Sequence, residues 1–262
     1  MSNDRIKEIY RLLEQHRQLT VEQLSEQLHV SRSTIRRDLT IMEEQHMIHR
    51  YYRGASISES QIKEKSMSVK SLYLNEEKKA IAKAAASLVK NDDVIYIDGG
   101  STTADIIDYL GNKDVLIATQ AVNLFHRLIE TNRKVWVLTG YLKGNTNMVI
   151  GTNTIEEAKR LRFDIAFIGA NSIHESLGYS AADDLEASLK HVIVKASSRP
   201  YVLADSSKFN KVTYPKFADL NDCGVITDQL IDGFDYALIP EVYYYENRDF
   251  YHLKHMDHHH KS

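Results

Sequence analysis

The chain has 262 residues, 43% of them hydrophobic and 26% charged, enough for one large core or for one medium and one small core. Its one cysteine, Cys223 in "CGVITD", excludes an intramolecular disulfide framework and reads as a buried strand residue, and a net charge of −3 excludes a global basic field, so any nucleic-acid signal must be local. No apolar run approaches the roughly 18 residues of a membrane span, and "MSNDRIKEIY" lacks a signal-peptide core, so a cytoplasmic protein with no membrane partner is expected.

In chain order, Ile6, Ile9, Tyr10, Leu12 and Leu13 mark one face of a first helix ending near His16. Thr20 opens "TVEQLSEQL", a second helix with Gln23 as capping-box partner and Val21, Leu24 and Leu28 as its buried face. After the short "HVS" turn, Ser31 caps a third helix, "SRSTIRRDLTIMEEQ", in which Ile35, Leu39 and Met42 recur at i, i+4 and i+7. Its other face exposes Arg32, Ser33, Thr34, Arg36 and Arg37. A helix, a tight turn and a helix that starts with basic and hydroxyl residues form the helix-turn-helix arrangement that enters a major groove. Arginine forks can read guanine edges, and hydroxyls, Ser31 included, can bond bases or phosphates. "MIHRYYRGASI" then places His49, Arg50 and Arg53 on a short ribbon, a wing for the phosphate backbone. Asp38, Glu43 and Glu44 are expected to face away from DNA or to orient the arginines. For "RRD" alone a solvated amphipathic helix is the simpler reading, but three short capped helices followed by a basic ribbon outweigh it. Residues 1–57 therefore read as a winged helix-turn-helix domain whose partner is double-stranded DNA.

Residues 58–74 are polar and read as a linker. Asn75 caps the next helix, with Glu76 and Glu77 in its first turn. Strands are then expected near 94–98, 115–119, 134–139, 164–168, 200–204 and 223–227, with helices between most of them. That alternation implies an α/β domain over 75–240, a doubly wound and mostly parallel sheet whose ligands sit at the carboxyl ends of the strands. The stretches that end strands are "DGGSTT", "TQAVN", "GANSI" and "ADSSKF".

"VIYIDGGSTTADIIDYL" reads as a strand, a glycine turn and a helix starting at the hydroxyls. Unpaired helix N–H groups, the access given by Gly99 and Gly100, and the hydroxyls of Ser101, Thr102 and Thr103 suit a phosphate. The plainer reading is a capped helix after a glycine turn. Lys208, after a later strand end, can balance a phosphate dianion, or is a surface lysine. Asp98, Gln120, Asn171 and Glu186, with Asp183 and Asp184, can take the hydroxyls of a ligand, and Lys143 lies in a 140–148 loop that can close on it. Each can equally be a cap or turn residue. Residues 241–262 read as an aromatic and His-rich tail. His252, His255, His258, His259 and His260 are expected to be solvated rather than to hold a metal, and Tyr243 to Tyr245, Phe250 and Tyr251 can pack on a neighbouring subunit.

"VSRSTIRRDL" and the following "RGA" resemble the helix-turn-helix signature of the DeoR family of bacterial transcriptional regulators. "DGGSTTADI", "ATQAVNL", "VLTGYLKGNTNMVIGTNTIE", "FDIAFIGANSI", "DLEASLKHVIVKAS" and "YVLADSSKFNKV" are similar, in order, to blocks of that family's effector domain. The resemblance covers almost everything from residue 3 to about 230. It implies a repressor of sugar-metabolism or sugar-transport genes, a homo-oligomer (dimer or tetramer) on two half-sites, whose operator binding is controlled by a phosphorylated sugar with no other cofactor. It also implies a fold resembling ribose-5-phosphate isomerase, and by that analogy residues 100–103 and Lys208 share one phosphate site. The alternative is an isomerase-like enzyme. The related isomerases carry acidic residues where this chain has "GANSI", and Asn171 cannot act as a general base, so no enzyme activity is expected. Arg53-Gly54-Ala55, Tyr141 and Thr152 depart from the family pattern, in the wing and in the 140–148 loop.

Overall fold

The structure, a computed structural model, describes residues 2–58, 68–69, 75–144, 146–246 and 249–254. The chain divides into two compact units, Met1–Asn75 and Glu76–Ser262.

The first unit runs α1 (Ser2–His16), β1 (Gln18–Thr20), α2 (Val21–Leu28), α3 (Arg32–Glu44), β2 (His49–Tyr51) and β3 (Gly54–Ser56). The caps expected from the sequence are present. The Thr20 hydroxyl accepts from the Gln23 amide at 3.1 Å while the Gln23 side chain accepts from the Thr20 amide at 2.8 Å. His29, in the left-handed region at φ 53°, ends α2, and the Ser31 hydroxyl accepts from the Thr34 amide at 3.2 Å to start α3. Ile9, Leu13, Leu24, Ile35, Leu39 and Met42 fill a core with no solvent exposure. Asp38 faces away from the exposed arginines of α3, as expected, but it points into the core: it is buried, and Arg5 of α1 donates to it from Nε at 2.5 Å and Nη2 at 3.0 Å. The charge thereby fastens α1 across α3.

The three strands form a small antiparallel sheet, order β1-β3-β2. Gly54 sits where β1 and β3 approach most closely: a Cβ there would lie 2.1 Å from the Leu19 carbonyl oxygen.

The second unit opens with α4 (Asn75–Ser87), followed by β4 (Val94–Ile97), α5 (Ile106–Tyr109), β5 (Leu116–Thr119), α6 (Phe125–Glu130), β6 (Lys134–Val137), β7 (Tyr141–Lys143), β8 (Met148–Ile150), α7 (Thr152–Ala158) and β9 (Ile165–Gly169). It continues with β10 (Ser172–His174), β11 (Gly178–Ser180), α8 (Asp184–Lys195), β12 (Pro200–Leu203), β13 (Lys216–Ala218), β14 (Gly224–Thr227), β15 (Glu241–Glu246) and β16 (Asp249–Lys254). The main sheet has eight strands in the order β16-β15-β14-β12-β9-β4-β5-β6, all parallel except β16. Alternate side chains feed two cores. Ile95 and Ile97 pack on one face with Ile81 and Leu203, while Tyr96 packs on the other with Phe163 and Tyr179.

All six expected strands are present. The hairpins β7–β8 and β10–β11, and β13, were not anticipated. Nor is 241–254 a tail: β15 adds in parallel to β14, with Val242 fully buried, and β16 returns antiparallel. Its aromatics stack on one another within the hairpin, Tyr243 on His252 at 4.2 Å and Tyr244 on Tyr251 at 5.4 Å between centroids. The other four tail histidines and most of the 58–74 linker lie outside the described residues. Cys223 is buried, and burial pushes its thiol well above the usual range, as expected of a structural cysteine.

Gly54→Ala should destabilise the first unit by about 2 kcal/mol or more, because the added methyl meets backbone that cannot yield without parting β1 from β3. The check is a drop in the thermal midpoint and loss of DNA affinity; a variant with wild-type melting would show that the close approach is not needed.

Candidate functional site

On α3, the Ser31 hydroxyl lies 2.8 Å from both the Ser33 and the Thr34 hydroxyls, so the helix start presents a linked cluster of oxygens. Arg32, Ser33, Arg36 and Arg37 are exposed on the face opposite Ile35 and Leu39. Arg32 reaches Glu22 of α2 at 3.5 Å, whereas Arg36 and Arg37 have no ion-pair partner among the described residues. Arg50 is drawn back from the wing onto α3, donating to the Thr40 hydroxyl at 2.9 Å with Glu43 at 3.8 Å. Arg53 is exposed at the wing, its carbonyl accepting from the Val21 amide at 2.8 Å. Beside it Tyr52, given no role by the sequence, stands 97% exposed.

In the second unit the chain runs outward from β4 through β5 to β6 and then returns to place β9 on the other side of β4. The crevice between β4 and β9 is therefore the topological switch point, where open α/β sheets bind ligands. Asp98 occupies it. Its carboxylate is 1% exposed and accepts from the Gly99 amide at 2.8 Å, the Gln120 side chain at 2.8 Å, the Gly169 amide at 2.9 Å and Lys190 at 3.0 Å. Burial pushes this carboxyl up, but the charge and hydrogen bond of Lys190 and the two glycine amides outweigh it, and the group is held below the usual carboxylate range. Lys190, itself buried, also donates to the Gly169 carbonyl at 2.6 Å and lies 5.7 Å from the centre of the Phe217 ring. Tyr96 completes the network by donating to Gln120 Oε1 at 2.6 Å. Asp98 and Gln120, expected to meet sugar hydroxyls, are thus engaged with the protein itself.

Lys190 and Tyr96 were missed from the sequence. A signal existed for the lysine. Glu186, Ala187, Lys190, Ile193 and Val194 are all buried on α8, so both charges fall at helical spacing on its apolar stripe.

The loop after Asp98 corrects a second expectation. No helix starts at the hydroxyls: residues 101–105 are turns, and α5 begins only at Ile106 and spans four residues. The helix-dipole part of the phosphate argument therefore fails. What remains is a nest of backbone donors. The Gly99 amide is committed to Asp98, and the Thr103 hydroxyl donates to the carbonyls of Asp98 at 2.6 Å and Gly100 at 2.9 Å. The amides of Gly100, Ser101, Thr102 and Thr103 and the hydroxyls of Ser101 and Thr102 have no hydrogen-bond partner among the described residues. Such a run of amides suits an anion without a helix. Gly99 is packed tightly, a Cβ there falling 2.4 Å from Met148 Cγ.

Lys143 and Glu186 are brought together. Lys143, on the β7–β8 hairpin, donates to Asp183 at 2.6 Å and to Glu186 at 2.9 Å, and Asp183 caps α8 by accepting from the Glu186 amide at 2.9 Å. Burial raises the Asp183 carboxyl, and Lys143 and the α8 amides more than reverse it, leaving it below its ordinary value. Asn171, half-buried beyond the end of β9, has no side-chain hydrogen bond among the described residues. Lys208 is half-buried in a short turn that follows β12, and β12 adjoins β9.

Residues 5–61 match the model of the DeoR-like helix-turn-helix domain, and residues 74–229 match that of the DeoR C-terminal sensor domain. The chain belongs to the DeoR family. It is 35% identical over 216 residues to the uncharacterized HTH-type transcriptional regulator FruR of Bacillus subtilis, with 82% of this chain and 86% of that protein covered. It is 30% identical over 230 residues to the lactose phosphotransferase system repressor of Staphylococcus epidermidis, covering 86% and 91%. This DeoR-family chain is a DNA-binding transcriptional regulator, and the enzyme alternative falls with that assignment. Ribose 5-phosphate isomerase A of Methanocaldococcus jannaschii aligns with a TM-score of 0.39 at 22% identity, over 52% of this chain and 54% of the isomerase, a likeness too slight to carry an argument. Among the described residues no helix is long and apolar enough to cross a membrane, and no cluster of three His, Cys, Asp or Glu can hold a metal.

Asp98→Asn should cost about 3–5 kcal/mol, because it leaves Lys190 buried without its counter-charge. The folded carboxyl titrates below its unfolded value of about 3.9, so its contribution is full at neutral pH and is lost as pH falls from about 5 through the folded value. Urea midpoints measured from pH 7 to pH 3 should therefore fall less steeply for Asp98→Asn than for wild type. Equal slopes would show that the pair contributes nothing.

Proposed function

We propose that this chain is a repressor of sugar-metabolism or sugar-transport genes whose hold on its operator is set by a phosphorylated sugar. The observation that carries the reading is the switch-point loop: four backbone amides and two hydroxyls without partners among the described residues, at the crevice where such a sheet binds ligands, in a chain that also carries a helix exposing three arginines near its start. The phosphate sits in the nest of residues 100–103, with Lys208 as counter-charge. Asn171 takes a sugar hydroxyl, and Lys143, Glu186, Asp98 and Gln120 define the rim and floor. On the DNA side Arg36 and Arg37 read bases from α3, with Arg32, Ser31, Ser33 and Thr34 at its start, and Arg53 meets a phosphate from the wing, while Arg50 does so only by leaving Thr40 and Glu43. Two copies bind two half-sites as a homo-oligomer in the cytoplasm. No metal or organic cofactor enters the scheme.

The test is a mobility-shift titration on DNA upstream of the protein's own gene and its neighbours, repeated with a panel of sugar phosphates and their unphosphorylated parents. A shift reversed by one ester and not by its parent sugar is expected, and a shift indifferent to every ester would remove the effector half of the reading. Arg36→Ala or Arg37→Ala should weaken operator binding by about 1–3 kcal/mol with sugar-phosphate affinity unchanged. Wild-type operator affinity in both variants would move base reading away from α3.

A further inference from the structure

The main sheet ends in a strand whose outer edge pairs with no other strand among the described residues. β6 pairs only with β5, and the Leu138 amide donates inward to the Thr119 carbonyl at 2.9 Å. By alternation the N–H and C=O groups of Val135 and Val137 point outward. Open edges of this kind are usually blunted by proline, by bulges or by charges along the strand. Here the strand reads Lys-Val-Trp-Val, with Trp136 48% and Val137 41% exposed. Its outward groups stop at Thr139, whose amide donates to Glu157 at 2.8 Å; the same carboxylate accepts from the Trp136 indole at 2.8 Å. Between β6 and α7 lies an open groove of about 590 Å³, floored by Trp136 and rimmed by Glu156, Glu157 and Arg160.

We propose that β6 is the seam between two copies of this chain, pairing antiparallel with itself across a two-fold axis at Trp136. An isologous contact requires a surface complementary to itself, and β6 is one. With the axis at Trp136, Val135 of each copy exchanges backbone hydrogen bonds with Val137 of the other, which uses the outward groups. The two indoles form the non-hydrogen-bonded pair between them. Charge fits the same register. Lys134, exposed at the start of β6 and without an ion-pair partner among the described residues, lies on the Trp136 face and comes opposite the far end of the second strand. There it enters the groove rimmed by Glu156, Glu157 and Arg160, in which Glu156 is already paired with Lys159 at 2.6 Å and Glu157, without an ion-pair partner among the described residues, is the carboxylate that faces it. A parallel pairing would set lysine against lysine. The two eight-stranded sheets then continue as one. The inference builds on the paired half-site reading, whose ligand and DNA chemistry do not depend on it.

The test uses the full chain. Val137→Pro removes an outward N–H while leaving the inward ladder to β5 intact. It should raise the dissociation constant of self-association by about tenfold or more in sedimentation equilibrium, with thermal stability and sugar-phosphate binding retained. Trp136→Cys places two thiols on the axis, where opposed Cα atoms of a non-hydrogen-bonded pair stand about 4.5 Å apart, and mild oxidation should yield a covalent dimer. Val135→Cys, facing Val137 rather than its own copy, should not. Cys223 is buried and does not compete. Unchanged self-association in Val137→Pro together with no crosslink in Trp136→Cys would overturn the proposal, and sugar-phosphate binding by the same samples would show the regulator reading standing regardless.

Discussion

One buried carboxylate organises the sensor unit. Asp98 gathers the end of β4 through Gly99, the end of β5 through Gln120, the end of β9 through Gly169 and the inner face of α8 through Lys190. A charge taken out of water costs several kcal/mol unless it is matched, and here three neutral donors and one cation match it. The geometry of the crevice follows. Because the Gly99 amide turns inward to the carboxylate, the next four amides are left for something else. Because Lys190 must lie inside, Glu186 one turn earlier is buried as well and requires its own cation, which the β7–β8 hairpin supplies as Lys143.

That chain of obligations also decides where positive charge for a sugar phosphate can come from. Lys190 is the most buried lysine at the crevice and already balances Asp98, so recruiting it would strand a carboxylate in low dielectric. Lys143 is shared between Asp183 and Glu186. If it turned to a phosphate, Glu186 would lose its buried partner, and the hairpin would part from α8 in a discrete step rather than by gradual adjustment. On the proposed reading, the amides of residues 100–103 therefore do most of the binding.

Much of this was legible from the residues. Capping chemistry is local, so Thr20, Gln23 and Ser31 disclose the boundaries of α2 and α3, and β-branched runs between glycine-rich turns disclose the six parallel strands. Long-range partners are not local. Nothing near Asp38 in the sequence points to Arg5, and nothing in "DGGSTT" shows that Asp98 turns inward to a lysine 92 positions away. The hydroxyl string looked like a helix start because Ser and Thr favour caps. In the fold Thr103 bonds back to the carbonyls of Asp98 and Gly100 instead, and the helix is delayed to Ile106. The tail misled for a related reason. Its tyrosines and histidines have no value as a strand until β14 offers an edge.

The strength of these contacts limits how a ligand can reach the DNA. Coupling between an effector and an operator typically amounts to about 1–3 kcal/mol, whereas breaking a buried ion pair by removing one partner costs about 3–5 kcal/mol. The reading helix α3 is locked by its apolar stripe and by the Arg5–Asp38 pair, so an effector of ordinary coupling strength cannot act by remodelling it. On the proposed reading, what such an energy can change is the relation between two such helices, one from each copy, because half-site spacing is a matter of subunit geometry rather than of internal structure. Control of this kind needs a rigid reader and a defined seam between copies, and on the proposed reading Asp38 and β6 are the features of this chain that supply them.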